Sequence, residues 1–513
     1  MIKYPIGIQT FEQIVINNYV YIDKTQLLYT LINSSKTAFL SRPRRFGKSL
    51  IVTTLEQIFL GKRELFKGLA ICDTDYDFIE YPVIKLSFIN DDYQDADNLR
   101  LAINSMLDDV AFKYDVKLSA PTHNLRLKEL VLALFRQTNR PVVILIDEYD
   151  KPILNHLFSE HLSEIKKVIS GFYGAIKSLD EYLQFVFVTG VSKFAKVSVF
   201  SGMNSLVDIS MEREYSALCG ITHDEIDNYF TEPLHQIAAS LGMEYSILRA
   251  KLASWYNGYL FHPKGEGVYS PFSLLSLLRK KEFGHYWFAT ATPTFVIDMI
   301  KENQFDLAQI QEYELDDSAL MACEPEHIDV LPLLLQTGYL TIDTFDDGFY
   351  QLAFPNFEVE YAFNRAIVNQ FSSITPHTHS GYIRKLCNAL NNNEITEFFT
   401  ILKVFFVNIP YDITLKQEKY YQSLFFSIFT LIGYDIDCEV RTNIGRIDCV
   451  LTTNTHVYII EFKLDGTKEQ ALAQINDKQY SQKYQLNNRI LCLVGADFDS
   501  KTRNLNDFVI SKM

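Results

Sequence analysis

The sequence predicts a multidomain α/β protein, and three observations lead to this class. At 513 residues the chain is longer than a single domain usually is. Apolar strand patterns at residues 37–40, 83–88, 142–146 and 183–189 alternate with helical segments, which is typical of a mainly parallel sheet covered by helices. Near the other end of the chain, two short strand patterns flank a polar turn and predict a β-hairpin.

The first strand pattern leads into a basic loop and then into the amphipathic pattern of a helix. Residues 41–50 read SRPRRFGKSL. In loops of the form G-x-x-x-x-G-K-[ST], backbone N–H groups surround phosphates, the lysine reaches the terminal oxygens and the hydroxyl holds Mg²⁺. The sequence therefore predicts an ATP and Mg²⁺ site, here called the phosphate-binding loop, to which we assign Arg44, Arg45, Phe46, Gly47, Lys48 and Ser49.

Arg42 stands where that pattern requires glycine. Glycine is usual there because the turn needs uncommon torsions and a close backbone approach. An arginine either keeps the shape of the loop through a different turn or has ended tight nucleotide binding. A surface turn that contains Gly-Lys-Ser by chance is the third interpretation. Together with Arg44, Arg45 and Lys48, Arg42 predicts a loop that attracts anions strongly.

A later strand pattern ends in two acidic residues, since residues 142–150 read VVILIDEYD. We expect Asp147 to complete the ligand shell of Mg²⁺ and Glu148 to activate water. These two residues and the phosphate-binding loop predict hydrolysis of ATP.

The predicted C-terminal hairpin carries charges at the centre of apolar strands. Residues 445–463 read GRIDCVLTTNTHVYIIEFK, and the strand period of two places Asp448 on one face of the first strand and Glu461 with Lys463 on one face of the second. Ionisable groups there are costly unless a metal or partner compensates them. A cation bound by Asp448 and Glu461 would polarise a phosphodiester, while Lys463 positions water or offsets developing charge. The alternative is a half-buried hairpin with acidic residues by chance.

Helices are predicted on both sides of this hairpin, one starting at Glu418 and one containing Gln474. With them, the D…E-x-K pattern resembles the PD-(D/E)XK nuclease superfamily, which often adds a carboxylate from the preceding helix and a glutamine from the following one. The resemblance implies catalytic roles for Asp448, Glu461, Lys463 and Gln474, and Mg²⁺ or Mn²⁺ ligands at Glu418, Asp448 and Glu461.

Both ends together resemble bacterial proteins that join an AAA-ATPase-like domain to a C-terminal PD-(D/E)XK nuclease domain. Residues 19–25 (YVYIDKT), 185–194 (FVFVTGVSKF) and 215–226 (YSALCGITHDEI) also carry this resemblance. Within that family RPRRFGKS is the ordinary form of the loop. The resemblance also makes Thr189 and Ser192 candidates for sensing the terminal phosphate, whereas for Arg213 we favour a surface salt bridge over a nucleotide contact.

The middle of the chain differs from both ends. It is helical in pattern from Thr222 to about Arg279, and a predicted helix at 331–337 precedes a predicted hairpin, as in winged-helix modules. In the aromatic cluster at 255–259 we favour packing over stacking on a base. The predicted division is an AAA-like P-loop NTPase domain at 1–220, a helical lid-like region at 221–290, a winged-helix-like module at 291–375 and a nuclease-like α/β domain at 376–513.

Charge is distributed unevenly along this division. Residues 221–375 carry 8 basic and 22 acidic side chains, against 25 and 26 in residues 1–220 and 15 of each in residues 376–513. The net charge of −15 therefore belongs to the middle. Because neither residues 1–220 nor residues 376–513 carry an excess of basic side chains, any binding of nucleic acid should depend on local contacts.

Other sequence features bound the environment of the protein. Seven cysteines occur without a C-x-x-C pair, which argues against a disulfide framework or structural zinc. No apolar stretch reaches the length of a membrane span, and the N-terminus lacks a signal-peptide pattern. We expect a soluble cytoplasmic protein without a membrane partner. No sequence feature identifies an oligomeric state.

The function predicted from these observations is ATP binding and hydrolysis, joined to metal-dependent cleavage of nucleic acid, with DNA expected in preference to RNA. Nucleotide state would control the nuclease. The alternative, from a different class, is a nucleotide-dependent signalling or scaffold switch whose C-terminal domain binds nucleic acid without cleaving it.

Overall fold

The computed structural model describes the chain apart from residues 1, 90–92, 194–205, 289–295, 298, 301–302, 304, 306, 308–309, 311–312, 322, 325–326, 372–375, 408–417, 434–436, 444–445, 478–488, 500, 503 and 513. For residues 321–328, 371, 376–380, 418–422, 437–443 and 446–448 the description covers at most the backbone.

The chain divides into two compact units. The first comprises Met1–Ala291 and Glu314–Glu358, and the second comprises Thr292–Tyr313 and Val359–Met513. The segment 291–375 thus contributes to both units. The finer division at residues 220, 290 and 375 stays a prediction.

A five-stranded parallel sheet forms the centre of the first unit. Its strand order is β2-β3-β4-β1-β5. Every residue of β1 and β3 is buried, because helices cover both faces of such a sheet. The four predicted strands are confirmed, and the strands are β1 (Thr37–Ser41), β2 (Val83–Ser87), β3 (Val142–Asp147), β4 (Leu183–Gly190) and β5 (Val207–Asp208).

The helices around this sheet have buried apolar faces. In one of them, the buried residues Ile165, Ile169, Phe172 and Ile176 recur at helical spacing. The α-helices are α1 (Phe11–Ile16), α2 (Thr25–Ser34), α3 (Lys48–Phe59), α4 (Ala96–Lys113), α5 (His123–Thr138), α6 (Lys151–Leu154) and α7 (Leu162–Lys177). Short 3₁₀ helices lie at Arg63–Phe66, Ala70–Asp73, Asp180–Tyr182 and Arg213–Tyr215.

The predicted helical region follows as α8 (His223–Ser240), α9 (Tyr245–Tyr256) and α10 (Pro271–Lys280). Thr222 and Glu225 begin α8 with a reciprocal capping box. In the aromatic cluster, Tyr256 and Tyr259 are buried, and the ring of Trp255 lies 4.5 Å from that of Phe357. The packing interpretation of this cluster is confirmed.

The remainder of the first unit has the predicted order of helix and hairpin. Its elements are α11 (Asp317–Met321), β6 (Cys323–Glu324), β7 (His327–Ile328), α12 (Val330–Thr337), β8 (Thr341–Asp346) and β9 (Phe349–Ala353). Asp347 and Gly348 join β8 to β9 with φ angles of 46° and 87°. Positive φ at both central residues is typical of the type I′ turn that Asp-Gly favours.

The second unit contains a mixed sheet with the order β10-β11-β12-β13-β14, in which only β12 and β13 pair in parallel. The strands are β10 (Asp437–Asn443), β11 (Arg446–Thr452), β12 (His456–Leu464), β13 (Ile490–Asp499) and β14 (Asn504–Lys512). The helices are α13 (Phe357–Phe371), which begins at the end of the first unit, α14 (Pro376–Asn391), α15 (Ile395–Val407), α16 (Glu418–Gly433) and α17 (Lys468–Asp477).

Opposite faces of this sheet contact different helices. On one face, Phe462 of β12 packs against the rings of Phe399 in α15 and Phe425 in α16. On the other, Ile459 of β12 belongs to a buried cluster that includes Ile475 of α17. The parallel sheet of the first unit and the mixed sheet of the second agree with the predicted fold class, a multidomain α/β protein with a P-loop-type core and a C-terminal nuclease-like α/β domain, which is confirmed. Within the described part of the chain, the helices are too short or too polar to cross a membrane.

Candidate nucleotide site and candidate nuclease site

The phosphate-binding loop connects β1 to α3. Gly47 is the residue before α3 and has a φ angle of 97°, a conformation that glycine adopts without strain. A Cβ at Gly47 would meet nothing within 4 Å. Glycine is therefore needed here for its backbone conformation, and not because a side chain would clash. The helix begins at Lys48, and its first turn presents backbone N–H groups to any anion in the loop.

Lys48 lies folded back over the loop. The side chain is buried, and Nζ donates to the carbonyl oxygens of Arg42 and Pro43 at 3.0 Å each. An ammonium group has three donors, so these two bonds leave one for a phosphate oxygen. The loop therefore holds the lysine in place with two of its own carbonyl oxygens.

Asp147 ends β3 beside the loop. Burial raises the pKa of its carboxyl, while a hydrogen bond with the Ser49 side chain and the charge of Lys48 oppose that shift. Within the described part of the chain, Oδ1 of Asp147 is buried without a hydrogen-bond partner. Carboxylate and hydroxyl oxygens are ligands that Mg²⁺ accepts, and this donor set fits the ion. Asp147 and Ser49 lie together as predicted.

Glu148 follows Asp147 with a φ angle of 52° and is half-buried. This left-handed conformation is uncommon for a residue other than glycine. It turns the chain out of β3 towards α6. Strained residues of this kind cluster at functional sites, which agrees with the predicted role of Glu148.

Arg42 corrects part of the sequence interpretation. Its guanidinium is buried and donates to the carbonyl oxygens of Ser41, Ser210 and Tyr215 at 2.8, 2.6 and 3.0 Å. It also lies 4.0 Å from the ring centre of Phe261. The prediction that Arg42 attracts anions is wrong, because its guanidinium donates to the carbonyl oxygen of Ser41 in β1 and to those of Ser210 and Tyr215 after β5. The structure supports the first interpretation, in which arginine keeps the shape of the loop.

The other side chains of the loop contact the middle of the chain. The Phe46 ring is buried against Tyr259 at 4.6 Å, and the Arg45 guanidinium lies 4.3 Å from the ring centre of Phe272. Arg44 is exposed. Of the predicted loop residues, Phe46 therefore contributes packing, and any contact of this residue with a nucleotide falls to its backbone.

Two residues that support the loop were not found by sequence reasoning. Trp287 Nε1 donates to the carbonyl oxygen of Arg44 at 2.9 Å. A Cβ at Gly338 would lie 2.6 Å from Cβ of Pro43, so the chain after α12 touches the loop closely. Neither residue belongs to a motif, and only the tertiary contacts reveal them.

The end of β4 lies beside the loop, because Gly190 pairs with Ser41 and Thr189 with Leu40. Thr189 is fully buried, and its hydroxyl has no hydrogen-bond partner among the described residues. Ser192 instead donates its hydroxyl to Asp150. Thr189 remains the candidate for sensing the terminal phosphate. Arg213 lies exposed in a 3₁₀ helix.

The C-terminal hairpin has the register that the charge pattern requires. Asp448 of β11 pairs with Glu461 of β12, and Arg446 pairs with Lys463. Directly opposite residues share a face, with Cα atoms about 4.5–5.5 Å apart. Glu461 is 1% exposed, and Oε1 lies 3.8 Å from Nζ of Lys463. The side chains of Asp448 and Glu418 lie outside the described residues.

The predicted glutamine helix packs on this same face. Ile459, two residues before Glu461, contacts the cluster formed with α17, and Gln474 is half-buried in that helix. Gly495 of β13 pairs with Glu461 of β12. A Cβ at Gly495 would lie 2.6 Å from the backbone N of Leu472 in α17. The absence of a side chain at Gly495 lets α17 lie close beside Glu461, a feature that sequence reasoning missed.

These positions fit a divalent cation in part. Two carboxylate residues opposite each other on one face match the oxygen ligands of Mg²⁺ or Mn²⁺. Within the described residues, no three His, Cys, Asp or Glu side chains converge, and two of the three predicted ligands have side chains outside that set. The ligand set Glu418, Asp448 and Glu461 stays a prediction.

Comparisons with known proteins agree with both ends of the molecule. Residues 5–200 match the family described as predicted AAA-ATPase (AAA-ATPase-like), and residues 416–508 match the PD-(D/E)XK nuclease superfamily. This defines the class of protein.

The chain is also similar to an uncharacterized protein in the vnfD 5′ region of Azotobacter chroococcum mcd 1. The two are 36% identical over 524 residues, which cover 100% of this chain and 99% of that relative. The protein belongs to the family that joins an AAA-ATPase-like domain to a C-terminal PD-(D/E)XK nuclease domain.

Proposed function

We propose that this protein binds and hydrolyses ATP and cleaves nucleic acid phosphodiesters at its C-terminal hairpin. DNA is the substrate we expect in preference to RNA. The observation that carries the nuclease part is the pairing of Asp448 with Glu461 beside Lys463. A hairpin that needed only to pack would not place two carboxylates opposite each other on strands with apolar neighbours.

At the nucleotide end, the proposed roles follow from the contacts of the loop. The first turn of α3 and the Lys48 ammonium would bind the phosphates, and Ser49 with Asp147 would hold Mg²⁺. Glu148 would accept a proton from the attacking water. Lys48 is already held by two carbonyl oxygens, so it needs little reorganisation when nucleotide binds.

At the nuclease end, Asp448 and Glu461 would hold Mg²⁺ or Mn²⁺, with Glu418 adding a carboxylate from α16. A bound divalent cation would polarise the phosphodiester and lower the pKa of water. Lys463, which lies 3.8 Å from Glu461, would position that water or offset negative charge as it develops. Gln474 would support the substrate from α17.

Control by nucleotide is part of the proposal. The phosphate-binding loop contacts Trp287 and the chain at Gly338, so a change of the loop on binding ATP would reach the middle segment directly. We propose that this segment transmits the nucleotide state. The cleavage rate should then depend on whether ATP is bound.

The experiment uses the full-length protein with Mg²⁺ or Mn²⁺ on plasmid, linear duplex DNA, single-stranded DNA and RNA, each with and without ATP. We expect metal-dependent cleavage that Glu461→Gln abolishes and Glu469→Gln, at an exposed position of α17, leaves unchanged. Binding of nucleic acid without cleavage under every condition would overturn the nuclease assignment and favour the switch or scaffold. Calorimetry with ATP and Mg²⁺ tests the nucleotide site separately.

A further inference from the structure

Asp150 is a buried carboxylate that the proposed chemistry does not use. It lies one residue before α6 and is 1% exposed. Its Oδ2 accepts three hydrogen bonds, from the backbone N–H groups of Val191 and Ser192 at 3.0 and 2.6 Å and from the Ser192 hydroxyl at 2.7 Å. All three donors belong to the turn that leaves β4.

This contact joins two turns that border the nucleotide site. Asp150 belongs to the turn after β3, which contains Asp147 and Glu148, while its donors follow Thr189. In the sheet, β4 lies between β3 and β1, so the turn after β4 neighbours the ends of both strands, which lead into the acidic turn and into the phosphate-binding loop. Fixing one turn against the other fixes the surroundings of the terminal phosphate.

Neighbouring contacts make the arrangement specific. The backbone N–H of Tyr149 donates to the carbonyl oxygen of Thr189 at 3.1 Å. The hydroxyl of Tyr149 donates to the carbonyl oxygen of Ser192 at 3.0 Å. A Cβ at Gly190 would lie 2.6 Å from Oδ1 of Asp150 and from the Tyr149 ring. The two turns therefore touch without room for a side chain between them.

The energetics favour a positioning role over a gain in stability. Burying a carboxylate costs free energy that hydrogen bonds only partly return, and burial does raise the pKa of Asp150 against the effect of its bonds with Ser192. Charge-assisted hydrogen bonds are short and directional. A neutral side chain could pack here more cheaply, but it would not hold three donors on one atom.

We propose that Asp150 is a positioning residue for ATP hydrolysis. It holds the turn at residues 189–192 so that the Thr189 hydroxyl and Glu148 keep fixed places around the terminal phosphate and the attacking water. This inference rests on the proposed hydrolysis of ATP. Asp150 would affect the rate of the chemical step, whereas the affinity for nucleotide would depend on the phosphate-binding loop.

The test compares Asp150→Asn and Ser192→Ala with Glu129→Gln. Glu129 is a matched control, since it accepts the same kinds of donor, the backbone N–H groups of Ser119 and Ala120 and the Ser119 hydroxyl, on the surface at α5. For each variant, kcat and KM of ATP hydrolysis, the Kd for ATP and the melting temperature are measured. Ser192→Ala removes only the hydroxyl bond, so it remains informative if Asp150→Asn folds poorly.

We expect Asp150→Asn to lower kcat by about tenfold to a hundredfold, as small displacements of reacting groups do, with the Kd for ATP nearly unchanged. Ser192→Ala should give a smaller loss of kcat in the same direction, and adding it to Asp150→Asn should cost little more. Glu129→Gln should leave kcat unchanged whatever its effect on melting.

Three results would overturn the inference. Unchanged kcat in Asp150→Asn and Ser192→Ala, with active wild type, overturns the positioning role alone. Equal losses in kcat, ATP affinity and melting temperature assign Asp150 to structure. Wild-type protein that binds no ATP, or binds it without hydrolysing it, overturns this inference together with the proposed nucleotide chemistry.

Discussion

The two candidate sites handle their charges in opposite ways. At the nucleotide site, Lys48 is held by two carbonyl oxygens, Arg42 by three, and Asp147 is bonded to Ser49. At the hairpin, Asp448 and Glu461 pair directly on one face of the sheet. The charged groups of the nucleotide site are thus paired within the protein, whereas the hairpin places like charges together, as expected of a site that binds a cation. Substitution of a charged residue should therefore stabilise the protein at the hairpin but not at the nucleotide site, while activity is lost at both.

The largest expected effect is at Lys48. Lys48→Ala removes the charged donor to the phosphates, so ATP binding at millimolar concentration should disappear and hydrolysis should fall by at least about a hundredfold, as when a transition-state donor is lost. Glu148→Gln should instead keep ATP binding and slow hydrolysis, because the shape remains and the base is lost. Calorimetry and phosphate release measure the two effects.

Lys62→Ala is the control for this prediction, because Lys62 is exposed in the chain that follows α3. Neither Lys48→Ala nor Lys62→Ala should raise the melting temperature, because the Lys48 ammonium is held by two carbonyl oxygens and Lys62 is exposed. A higher melting temperature for Lys48→Ala would mean that like charges repel each other at the nucleotide site too, and the comparison between the two sites would fail.

At the hairpin, Glu461→Gln should abolish cleavage and also stabilise the metal-free protein by about 1 kcal/mol, because it removes one of two like charges at paired positions. Asp448→Asn should act in the same direction, and the double variant should gain no more than either single one, because one substitution already removes the repulsion. Lys463→Ala should lower the cleavage rate while keeping metal binding. Scanning calorimetry without metal and cleavage with metal are the paired measurements.

Metal provides the control for the hairpin. Mg²⁺ or Mn²⁺ should raise the melting temperature of wild type and of Glu469→Gln more than that of Glu461→Gln, since a ligand that binds the folded state stabilises it and Glu461→Gln removes the hairpin site alone. If Glu461→Gln lowers the melting temperature without metal, and the wild type cleaves nothing, Glu461 is a structural residue paired with Lys463.

The sequence predicts those parts of the two sites that depend on neighbouring residues. Strand periodicity and a short turn are enough to place Asp448 opposite Glu461, because a one-residue shift of register would turn the apolar residues to the wrong face. An apolar strand followed by Gly47 and Lys48 likewise predicts the loop and its helix. In both cases the signal lies within about 20 residues of chain, as for hairpins and caps in general.

The support of each site could not be predicted, because its partners are distant in sequence. Arg42 reaches the carbonyl oxygens of Ser210 and Tyr215, which come close only once β5 pairs with β1. Gly495 matters because α17 crosses the sheet at that point. A sequence pattern records the residue type at such positions but not the group that it meets.

Arg42 supplies a third prediction, on stability within the nucleotide site. Arg42→Met keeps much of the side-chain volume and leaves three carbonyl oxygens without their donor. The free energy of unfolding of the first unit should therefore fall by about 3 kcal/mol or more. Arg44→Met is the matched control, because Arg44 is exposed in the same loop. Both tryptophans, Trp255 and Trp287, lie in the first unit, so denaturation followed by tryptophan fluorescence reports on that unit. Equal losses for the two variants would contradict the assigned role.

The smallest effect concerns Glu358, a buried carboxyl that is held by hydrogen bonds and, among the described residues, forms no ion pair. Its carboxyl accepts hydrogen bonds from the Ser273 hydroxyl and the Trp287 backbone N–H at 2.6 Å each, and burial raises the pKa to about 7 from the usual 4.5. The folded state therefore binds this proton more tightly than the unfolded state does. Stability from this group is fully present below pH 4.5, falls as the pH rises towards 7, and is lost above it.

Glu358→Gln, neutral at every pH, should remove that dependence. Since one pKa unit corresponds to about 1.4 kcal/mol, the difference in unfolding free energy between wild type and variant should change by at most about 3 kcal/mol from pH 4.5 to pH 8. Tryptophan fluorescence during urea unfolding is the measurement, because the backbone N–H of Trp287 donates a hydrogen bond to the Glu358 carboxyl. Glu282→Gln, at an exposed position, should keep the pH dependence of wild type. If Glu358→Gln also keeps it, the pKa of the Glu358 carboxyl is the same in the folded and unfolded states, and its hydrogen bonds with Ser273 and Trp287 offset the burial of its charge in full.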